Sequence, residues 1–598
     1  MSQLDLAPIG NGHVAALIDT SATVVWTCRP RLDGDPVFNA LLGGAGRFGM
    51  RLENQTSCEQ RFVRNTAILV TELEDRDGGR LRITDHCPKF RQNGRDFRPP
   101  ALVRRVQVLA GAPALRVELA ASFDYNADAA EPQRGVNHVT FGPESGKGEA
   151  GFRLTTDAPV GLVLDGTAFV PDREIAFVLT DDAPLSESPR AIARLWEAKT
   201  RRWWRDWVGT LALPLDHQPA VVRAAVTLKL CVFEETGGIV AALTTSIPEH
   251  EGSERNWDYR YCWVRDAYFT VSSLSRLSDH STRSHYARWL MSVIAGRCGD
   301  YVNPLYGIGL ENEIEEWFAD DLPGFSVDGG PGHGPVRVGN AAWDQVQHDV
   351  YGQIVLSLAP LFVDERLDAR FGEEEFAMLE RVARRAAEVW DTPDAGVWEF
   401  RSISDVHTSS AMFCWAACDR VAKIASHLGL SDREAHWRTQ ADTMRDGILE
   451  RAWNPERRAL TAAFGGTDLD ASLLLMAELG LVRSDDERFR ATVERIDEEL
   501  REGAHVYRYL RADDFGTPET AFTACTMWHI EALHRVGRED DAREMFAAVL
   551  EARNAFGLLS EDIHPDTLAL WGNYPQTYCL AGIIDCARRL SRPWTELM

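Results

Sequence analysis

Residues 255 to 266 read RNWDYRYCWVRD and place two Trp, two Tyr, three Arg and two Asp in twelve positions. Aromatic rings stack on the apolar C–H faces of a sugar, while Arg and Asp side chains make paired hydrogen bonds to its hydroxyl groups. Arg265 and Asp266, at the end of this stretch, are therefore candidates for holding two neighbouring hydroxyls. The same pair could instead form a surface ion pair at the start of a helix, where Asp is favoured.

Two glutamates farther along the chain could bring acid–base chemistry to such a site. Hydrolysis of a glycosidic bond needs two carboxyl groups, one protonated to assist the leaving oxygen and one ionised to activate water or attack. Glu399 in VWEFR and Glu561 in LLSED each lie in an apolar setting just before a predicted helix. Trp398 would shield Glu399 from water, which suits an acid. For any single glutamate, a solvated or helix-capping role is the common alternative.

The elements that must position these residues differ between the two halves of the chain. Up to about residue 195, short alternating runs bounded by Gly, Asp, Asn and Pro predict an antiparallel β-sandwich. From there on, apolar residues recur every three or four positions, which predicts helices. The predicted domains are a β-sandwich over residues 1–200, a linker over 201–218 and a helical domain over 219–598.

Twelve helices are predicted in the second half, at 219–235, 266–279, 282–296, 340–359, 374–390, 408–427, 431–453, 469–479, 485–500, 519–536, 538–552 and 573–590. This number fits a closed (α/α)6 barrel of six inner and six outer helices, although a stacked solenoid would have a similar count. The connections before every second helix are long and rich in aromatic and charged residues. In a barrel these six connections lie on one face, so we expect them to meet around a single pocket.

Charge and composition argue against several classes of partner. Lys plus Arg total 64 against 90 Asp plus Glu, and the resulting charge of -26 repels nucleic acid and anionic membranes. Neither an export signal nor a run near the ~20 apolar residues of a membrane span is evident, so a cytoplasmic protein is expected. Eleven irregularly spaced Cys predict reduced, mostly buried thiols. Signals for serine hydrolase, phosphoryl-transfer, zinc-peptidase and dinucleotide chemistry are absent.

A metal site is considered at Glu249, His250 and Glu251, which are consecutive in the sequence. Metal centres combine such residues with further ligands at regular spacing, and none follows here. We therefore expect a solvated loop at these residues, with no metal.

Six ordered motifs resemble glycoside hydrolase family 15, the glucoamylase and bacterial trehalase-like group: NWDYRYCWVRDA, PVRVGNAAWDQVQHDVYG, GVWEFR, DLDASLLL, YRY with PETAF, and LLSEDIHPDTLALWGNYPQTY. They span about 210 to 598, and the start from PIGNGHVAALID resembles the N-terminal domain of bacterial members. The resemblance implies a β-sandwich joined to an (α/α)6 barrel. It also implies cleavage of terminal α-linked glucose from a non-reducing end with inversion.

The resemblance further implies roles for single residues. Glu399 falls on the general acid, Glu561 on the general base, and Arg265 with Asp266 on the pair that holds the glucose. Other expected sugar contacts are Tyr259, Trp263, Trp343, His348, Trp398 and Trp571. Inversion requires room for a water molecule, so the two carboxyl groups should stand ~6.5–9.5 Å apart. No metal or organic cofactor is needed for this chemistry.

Some positions depart from the family pattern. Ala411 stands where many bacterial relatives carry Lys or Arg, which puts their specificity beyond the cleaved bond in doubt here. Trp343 and His348 stand where relatives often have smaller or apolar residues, a hint of a distinct small-substrate preference. Trp26 or Arg29 of the N-terminal domain could reach the pocket rim, or could equally be interface packing.

The leading hypothesis is an inverting exo-α-glucoside hydrolase that releases β-glucose from short isomaltose- or maltose-type oligosaccharides. The alternative within the family is an α,α-trehalase. A non-catalytic carbohydrate-binding protein is the alternative from a different class. In each case the partner is a small sugar, and the linkage preference and a homo-oligomeric state stay open.

Overall fold

The computed structural model describes residues 4–143, 151–296, 301–327, 330, 332, 334–367 and 370–597. Its N-terminal part contains two antiparallel sheets. Neighbours in the first sheet run in the order Ala7–Gly10, Ala15–Ile18, Val24–Arg29, Arg47–Leu52 and Leu115–Ala120, and Asp35–Phe38 also pairs with Val24–Arg29. Neighbours in the second run in the order Gln133–Arg134, His138–Phe141, Phe152–Thr156, Ile175–Asp181, Leu102–Ala110, Arg80–His86, Leu69–Asp75 and Gln55–Phe62.

The two sheets pack face to face through apolar side chains that alternate with polar ones along the strands. Phe48 of the first sheet lies 5.8 Å from Phe177 of the second, measured between ring centroids. Arg104 and Asp85 form a fully buried ion pair at 2.9 Å, and Arg104 also donates to the carbonyl oxygens of Ala22 and Phe48. The predicted β-sandwich is therefore confirmed.

A long helix, Pro189–Gly209, packs on the second sheet and leads towards the barrel. Pro189 occupies its first turn, where a missing N–H costs nothing. Three tryptophans on this helix, Trp203, Trp204 and Trp207, contact one another, so part of the high Trp count serves packing. The helix runs across residue 200, and the predicted division at that point stays a prediction.

The C-terminal part is a barrel of two concentric layers of helices. The outer helices are Gln218–Cys231, His280–Ala295, Glu373–Val389, Ser431–Arg451, Glu487–Glu499 and Glu539–Glu551. The inner helices are Val264–Arg276, Asp349–Leu358, Thr408–His427, Met476–Leu479, Thr523–Arg535 and Thr577–Leu590. Each inner helix, with the 3-10 turn Ala471–Leu475 before the fourth, contacts the next, and the sixth contacts the first. Because this ring closes, the (α/α)6 barrel is confirmed and the solenoid alternative is wrong.

All twelve predicted helices correspond to observed ones, but several start later than expected, and the fourth and eighth are displaced most. The fourth begins at Asp349, because Asn340 closes a local turn by accepting from the Ala342 N–H at 2.9 Å. The eighth is mostly the 3-10 turn Ala471–Leu475, whose start Asp470 caps by accepting from the Ser472 N–H at 2.8 Å. In both places a polar side chain competes with helical hydrogen bonding.

The remaining elements are short. They are the helices Val160–Leu164 and Pro360–Val363, and the paired strands Phe90–Gln92 with Arg95–Phe97, Ser122–Phe123 with Asp128–Ala129, Cys262–Trp263 with Leu305–Tyr306, Trp317–Phe318 with Arg337–Val338, Trp453–Asn454 with Ala459–Leu460, Arg501–Glu502 with His505–Val506, and Ala521–Phe522 with Asp562–Ile563 and Leu570–Trp571. Among the described helices, none has both the length and the apolar character needed to span a bilayer.

Candidate active site

Glu399 and Glu561 are connected through two aromatic side chains of the RNWDYRYCWVRD stretch. The Trp263 indole N–H donates to Glu399 Oε1 at 2.6 Å, and the Tyr259 hydroxyl donates to Glu561 Oε1 at 2.6 Å. The two rings contact each other edge-on, with centroids 5.2 Å apart. The barrel thus brings together two carboxyl groups that are far apart in the sequence, and one short segment holds both.

Glu399 is held in an unusual backbone conformation. Its φ is 62°, in the left-handed region that non-glycine residues seldom adopt. The Glu399 N–H donates to Gly396 O at 3.1 Å, and Gln345 donates to Glu399 O at 3.1 Å. Strained conformations of this kind are concentrated at functional sites, because only the surrounding structure maintains them. The turn directs the Glu399 side chain into the pocket, where it is 18% exposed.

Glu561 lies deeper, 1% exposed, next to the short strand Asp562–Ile563. Its Oε2 is 3.4 Å from the Asn573 N–H. Burial raises the pKa of Glu561 to about 8 and the negative charge of Glu249 adds to the rise, whereas the Tyr259 hydroxyl and Arg508 oppose it. Strongly perturbed carboxyl groups are a common feature of active sites.

Arg265 and Asp266 occupy the first turn of the inner helix Val264–Arg276. Arg265 donates to Asp266 Oδ2 at 3.1 Å, to Val397 O at 2.5 Å and to Glu399 Oε1 at 3.3 Å. Asp266 is 3% exposed, and burial raises its pKa to about 6. Arg265 therefore lines the pocket beside Glu399 and Asp266 lies buried behind it, so the pair is not a solvated ion pair.

Trp398 forms an apolar wall of the pocket. Its indole N–H donates to Asp470 Oδ2 at 2.8 Å, which fixes the ring orientation. The ring contacts Phe522 at 5.5 Å and Tyr509 at 6.3 Å between centroids. An indole held in this way can stack on a sugar face.

The long segments before the inner helices converge on this pocket, as the sequence predicts. Side chains and backbone atoms of different segments bond to one another across it. The hydrogen bonds join the first segment to the fifth through Arg255 and Asp513, the second to the third through Gln345 and Glu399, the third to the fourth through Trp398 and Asp470, and the sixth to the first through Asn573 and Trp257.

Several lining residues were not singled out from the sequence. Arg508 lines the pocket and pairs with Glu249 through two hydrogen bonds, of 3.2 and 2.6 Å. Tyr578, in the last inner helix, lines the pocket and has the Arg265 guanidinium 5.6 Å from its ring centroid. Arg508 lies in the YRY motif and Tyr578 in the YPQTY stretch. The motifs therefore pointed to segments that line the pocket, but not to the side chains that face it. Glu249 is 3% exposed, so the expectation of a solvated loop there is wrong for this residue.

Five predicted sugar contacts lie outside the pocket lining, and Asp266, described above, is one of them. Trp263 is 1% exposed and lies behind Glu399 as its hydrogen-bond donor. Trp343 is half-buried against the apolar cluster that contains Trp263, and Trp571 is buried against Phe325. His348 precedes an inner helix, its N–H donates to Asp394 Oδ2 at 2.8 Å, and burial lowers the pKa of its ring to about 4. Direct sugar contact by these residues stays a prediction.

The two N-terminal residues proposed for the rim are buried instead, Trp26 at the interface with the barrel and Arg29 within the sandwich. Trp26 is 2% exposed and donates to Leu243 O at 2.8 Å. Arg29 pairs with Asp181 at 2.7 Å within the sandwich. Ala411 is fully buried in the helix Thr408–His427, away from the lining.

Within the described part of the chain, one set of carboxylates is close enough together to hold a metal ion: Glu249, Glu561 and Asp562, with one oxygen from each within 4.8 Å of the others. Arg508 already supplies positive charge there, because its guanidinium binds both oxygens of Glu249. The arrangement therefore fits an arginine-compensated carboxylate cluster.

Comparison with known proteins extends these observations. Residues 216–588 match the family described as Glycosyl hydrolases family 15, and residues 5–142 match the domain described as Trehalase-like, N-terminal. The chain belongs to glycosyl hydrolase family 15. It is therefore a glycoside hydrolase, and the motif resemblance noted in the sequence is confirmed.

Relatives of this family 15 hydrolase are similar along nearly its whole length. A protein named trehalase from Thermoplasma volcanium is 28% identical over 603 residues, covering 97% of this chain and 92% of the relative. A trehalase from Mycobacterium tuberculosis is 29% identical over 629 residues, covering 99% and 90%. The structure of a bacterial glucoamylase complexed with acarbose superimposes with a TM-score of 0.70 at 12% identity, covering 98% and 94%. At that identity the glucoamylase shows the shared fold alone.

Proposed function

We propose that this family 15 hydrolase cleaves α,α-trehalose to two glucose molecules with inversion at the attacked carbon. The observation that carries the proposal is the end-to-end similarity to relatives named trehalase, which includes the N-terminal domain. The glucoamylase similarity supports only the fold. The comparisons therefore favour trehalose over the isomaltose- or maltose-type substrates of the leading sequence hypothesis.

One glucosyl unit would occupy the inner part of the pocket. Arg265 lines it and presents a guanidinium, a group that hydrogen-bonds neighbouring hydroxyls in pairs. Trp398 supplies an apolar face for the ring C–H groups. Asp266, buried behind Arg265, would act by orienting it.

Glu399 would act as the general acid. Its Oε1 accepts from both Trp263 and Arg265, whereas Oε2 accepts no hydrogen bond from the residues that the structure describes. Oε2 is therefore the oxygen that can carry a proton to the glycosidic oxygen while the bond from that oxygen to C1 breaks.

Glu561 would act as the general base. In its ionised form it removes a proton from a water molecule as the water oxygen forms a new bond to C1. The proton later leaves to solvent and Glu399 regains one, so a cycle consumes one water and releases two glucose molecules. A direct attack by water from the face opposite the leaving group inverts C1.

The second glucose would lie towards the outer part of the pocket. This region is lined by Trp257 and Phe515, whose rings meet edge-on at 5.2 Å, and by Arg401 and Asp514. The Arg401 guanidinium carbon lies 5.0 Å from the Trp257 ring centroid, and the Arg401 backbone N–H donates to Asp514 Oδ2 at 2.7 Å. Aromatic faces and paired polar groups suit a second hydroxyl-rich ring.

The test compares Glu399→Gln and Glu561→Gln with the wild type on trehalose, maltose, isomaltose, nigerose and kojibiose. We expect trehalose to be hydrolysed fastest, with each variant reduced by about 10²- to 10⁴-fold in kcat. Glu519→Gln, an exposed glutamate in the fifth segment, is the matched control and should keep wild-type activity.

Other outcomes would contradict the proposal in different ways. Faster cleavage of isomaltose or maltose would restore the exo-α-glucosidase hypothesis. Full activity in either variant would show that the acid and base are assigned to the wrong carboxyl groups. Sugar-dependent thermal stabilisation without any turnover would indicate a carbohydrate-binding protein.

A further inference from the structure

Glu561 is one of three buried carboxylates that lie close together, and Glu249 of this group lines the pocket. Glu249, Glu561 and Asp562 come from two different segments, are 3%, 1% and 1% exposed, and each places an oxygen within 4.8 Å of the other two. Like charges at this separation in a dry environment repel one another strongly, so such a group keeps one or more protons.

Among the described residues, Arg508 hydrogen-bonds this group directly, and the charge of Arg255 also acts on Glu249. Arg508 binds Glu249 through both oxygens, at 3.2 and 2.6 Å, and the Trp257 indole N–H donates to Glu249 Oε1 at 3.2 Å. The Thr520 hydroxyl lies 3.1 Å from Asp562 Oδ1. Three ionised carboxylates would carry three negative charges, and Arg508 is the one arginine among the described residues that is bonded to them.

One oxygen of Asp562 marks the place where a proton would reside. Asp562 Oδ2 is fully buried and has no hydrogen-bond partner among the described residues. A β-carbon added at Gly572 would lie 2.9 Å from Glu561 Oε2 and 3.0 Å from Asp562 Oδ2, so both oxygens face the same point. Two ionised carboxylates this close together in a dry environment are unfavourable, whereas a proton on one of them removes the repulsion.

We propose that Glu249 and Asp562 are positioning residues that make Glu561 part of a proton-sharing carboxylate group, and thereby set the pH above which Glu561 can accept a proton from water. This inference rests on the proposed role of Glu561 as the base. Asp562 Oδ2 offers a second location for the proton that Glu561 carries. Glu249 controls how readily the pair gives that proton up, because its charge acts on both.

The groups that face Glu561 fit this role. Burial raises the pKa of Asp562 well above its usual range, and the charges of Glu249 and Glu561 add to it. Arg508 and the Tyr259 hydroxyl act on Glu561 in the opposite direction, and Asn573 offers a backbone N–H. Glu399 lies on the far side of Tyr259, and its charge reaches that hydroxyl.

The experiment measures kcat/KM for trehalose against pH with full-length Glu249→Gln and Asp562→Asn. Removing a negative charge within a few ångströms lowers the pKa of a carboxyl by about 1 unit or more. We therefore expect the acidic limb of the profile to move to lower pH by about one unit in each variant. The control Glu519→Gln keeps the wild-type limb. A residue needed only for folding would lower the yield or Tm and leave the limb in place, which would overturn the inference.

A second measurement does not depend on activity towards trehalose. Burial of the carboxylate group makes the folded protein hold protons that the unfolded chain releases, so the stability that this group contributes should fall as pH rises from 5 to 8 and lower the wild-type Tm accordingly. Glu249→Gln and Asp562→Asn should weaken that fall, and parallel curves in variants and wild type would refute the inference. If the wild type failed to cleave trehalose while the variants showed a weaker dependence of Tm on pH, the proposed substrate would be wrong. The inference of a proton-sharing group would still stand.

Discussion

The Tyr259→Phe substitution removes one hydroxyl group and keeps the ring that contacts Trp263. That hydroxyl donates to the buried Glu561 Oε1 at 2.6 Å and favours the ionised carboxylate. A hydrogen bond to a charged group is worth about 1.5–3 kcal/mol. At about 1.36 kcal/mol per pKa unit, its loss raises the pKa of Glu561 by about 1–2 units.

A pH profile of kcat/KM for trehalose measures this shift directly. We expect the acidic limb to move to higher pH by about 1–2 units, so that activity below the limb falls by about 10- to 100-fold and the difference narrows at higher pH. Tyr261→Phe is the matched control, since Tyr261 is two residues away and outside the pocket lining. An unchanged limb, or one displaced to lower pH, would refute the idea that Tyr259 supports an ionised Glu561.

Three further predictions concern binding and stability. Arg265→Met removes a guanidinium 3.3 Å from Glu399 and should lower kcat/KM for trehalose by about 10- to 150-fold in steady-state assays. Arg265→Lys should recover little of this activity, because an ammonium lacks the paired donors of a guanidinium. Burial raises the pKa of Glu561 to about 8, so its contribution to the free energy of unfolding is complete below an unfolded pKa of 4.5 and is lost as pH rises through 8. In thermal scans, the Tm of Glu561→Gln should therefore decline less over that pH window than the Tm of the wild type. An equal decline in both proteins would contradict this. Arg104→Met leaves Asp85 buried without its partner and should cost about 3–5 kcal/mol in denaturant unfolding, whereas adding Asp85→Asn should recover part of it.

The fold was largely predictable because hydrophobic periodicity carries it. Alternating runs before about residue 195 predict the strands of the sandwich, and the three- and four-residue spacing after it predicts the helices of the barrel. Where prediction and structure differ, a polar side chain takes over local hydrogen bonding, as Asn340 and Asp470 do at the starts of the fourth and eighth helices. Hydrophobic periodicity carries no information about such caps. The first residue of a helix is therefore harder to predict from the sequence than the presence of the helix.

The site was predictable at the level of segments and less so at the level of side chains. Aromatic and charged residues before the inner helices pointed to Arg265, Trp398, Glu399 and Glu561, because sugar hydrolysis requires those residue types; their roles stay predictions. Glu249 appeared to be one of three polar residues in a solvated loop. Its burial depends on Arg508, 259 positions away, and no local pattern reports a pairing over that distance.

Proton NMR of the first glucose released from trehalose tests the central claim most directly, because the two carboxyl groups are assigned to acid and base acting on water. Inversion at the attacked carbon gives one β-glucose, while the departing glucose keeps its α configuration. We predict equal amounts of the two anomers before mutarotation mixes them. Initial formation of α-glucose alone would mean retention, and would contradict the account of Glu399 and Glu561.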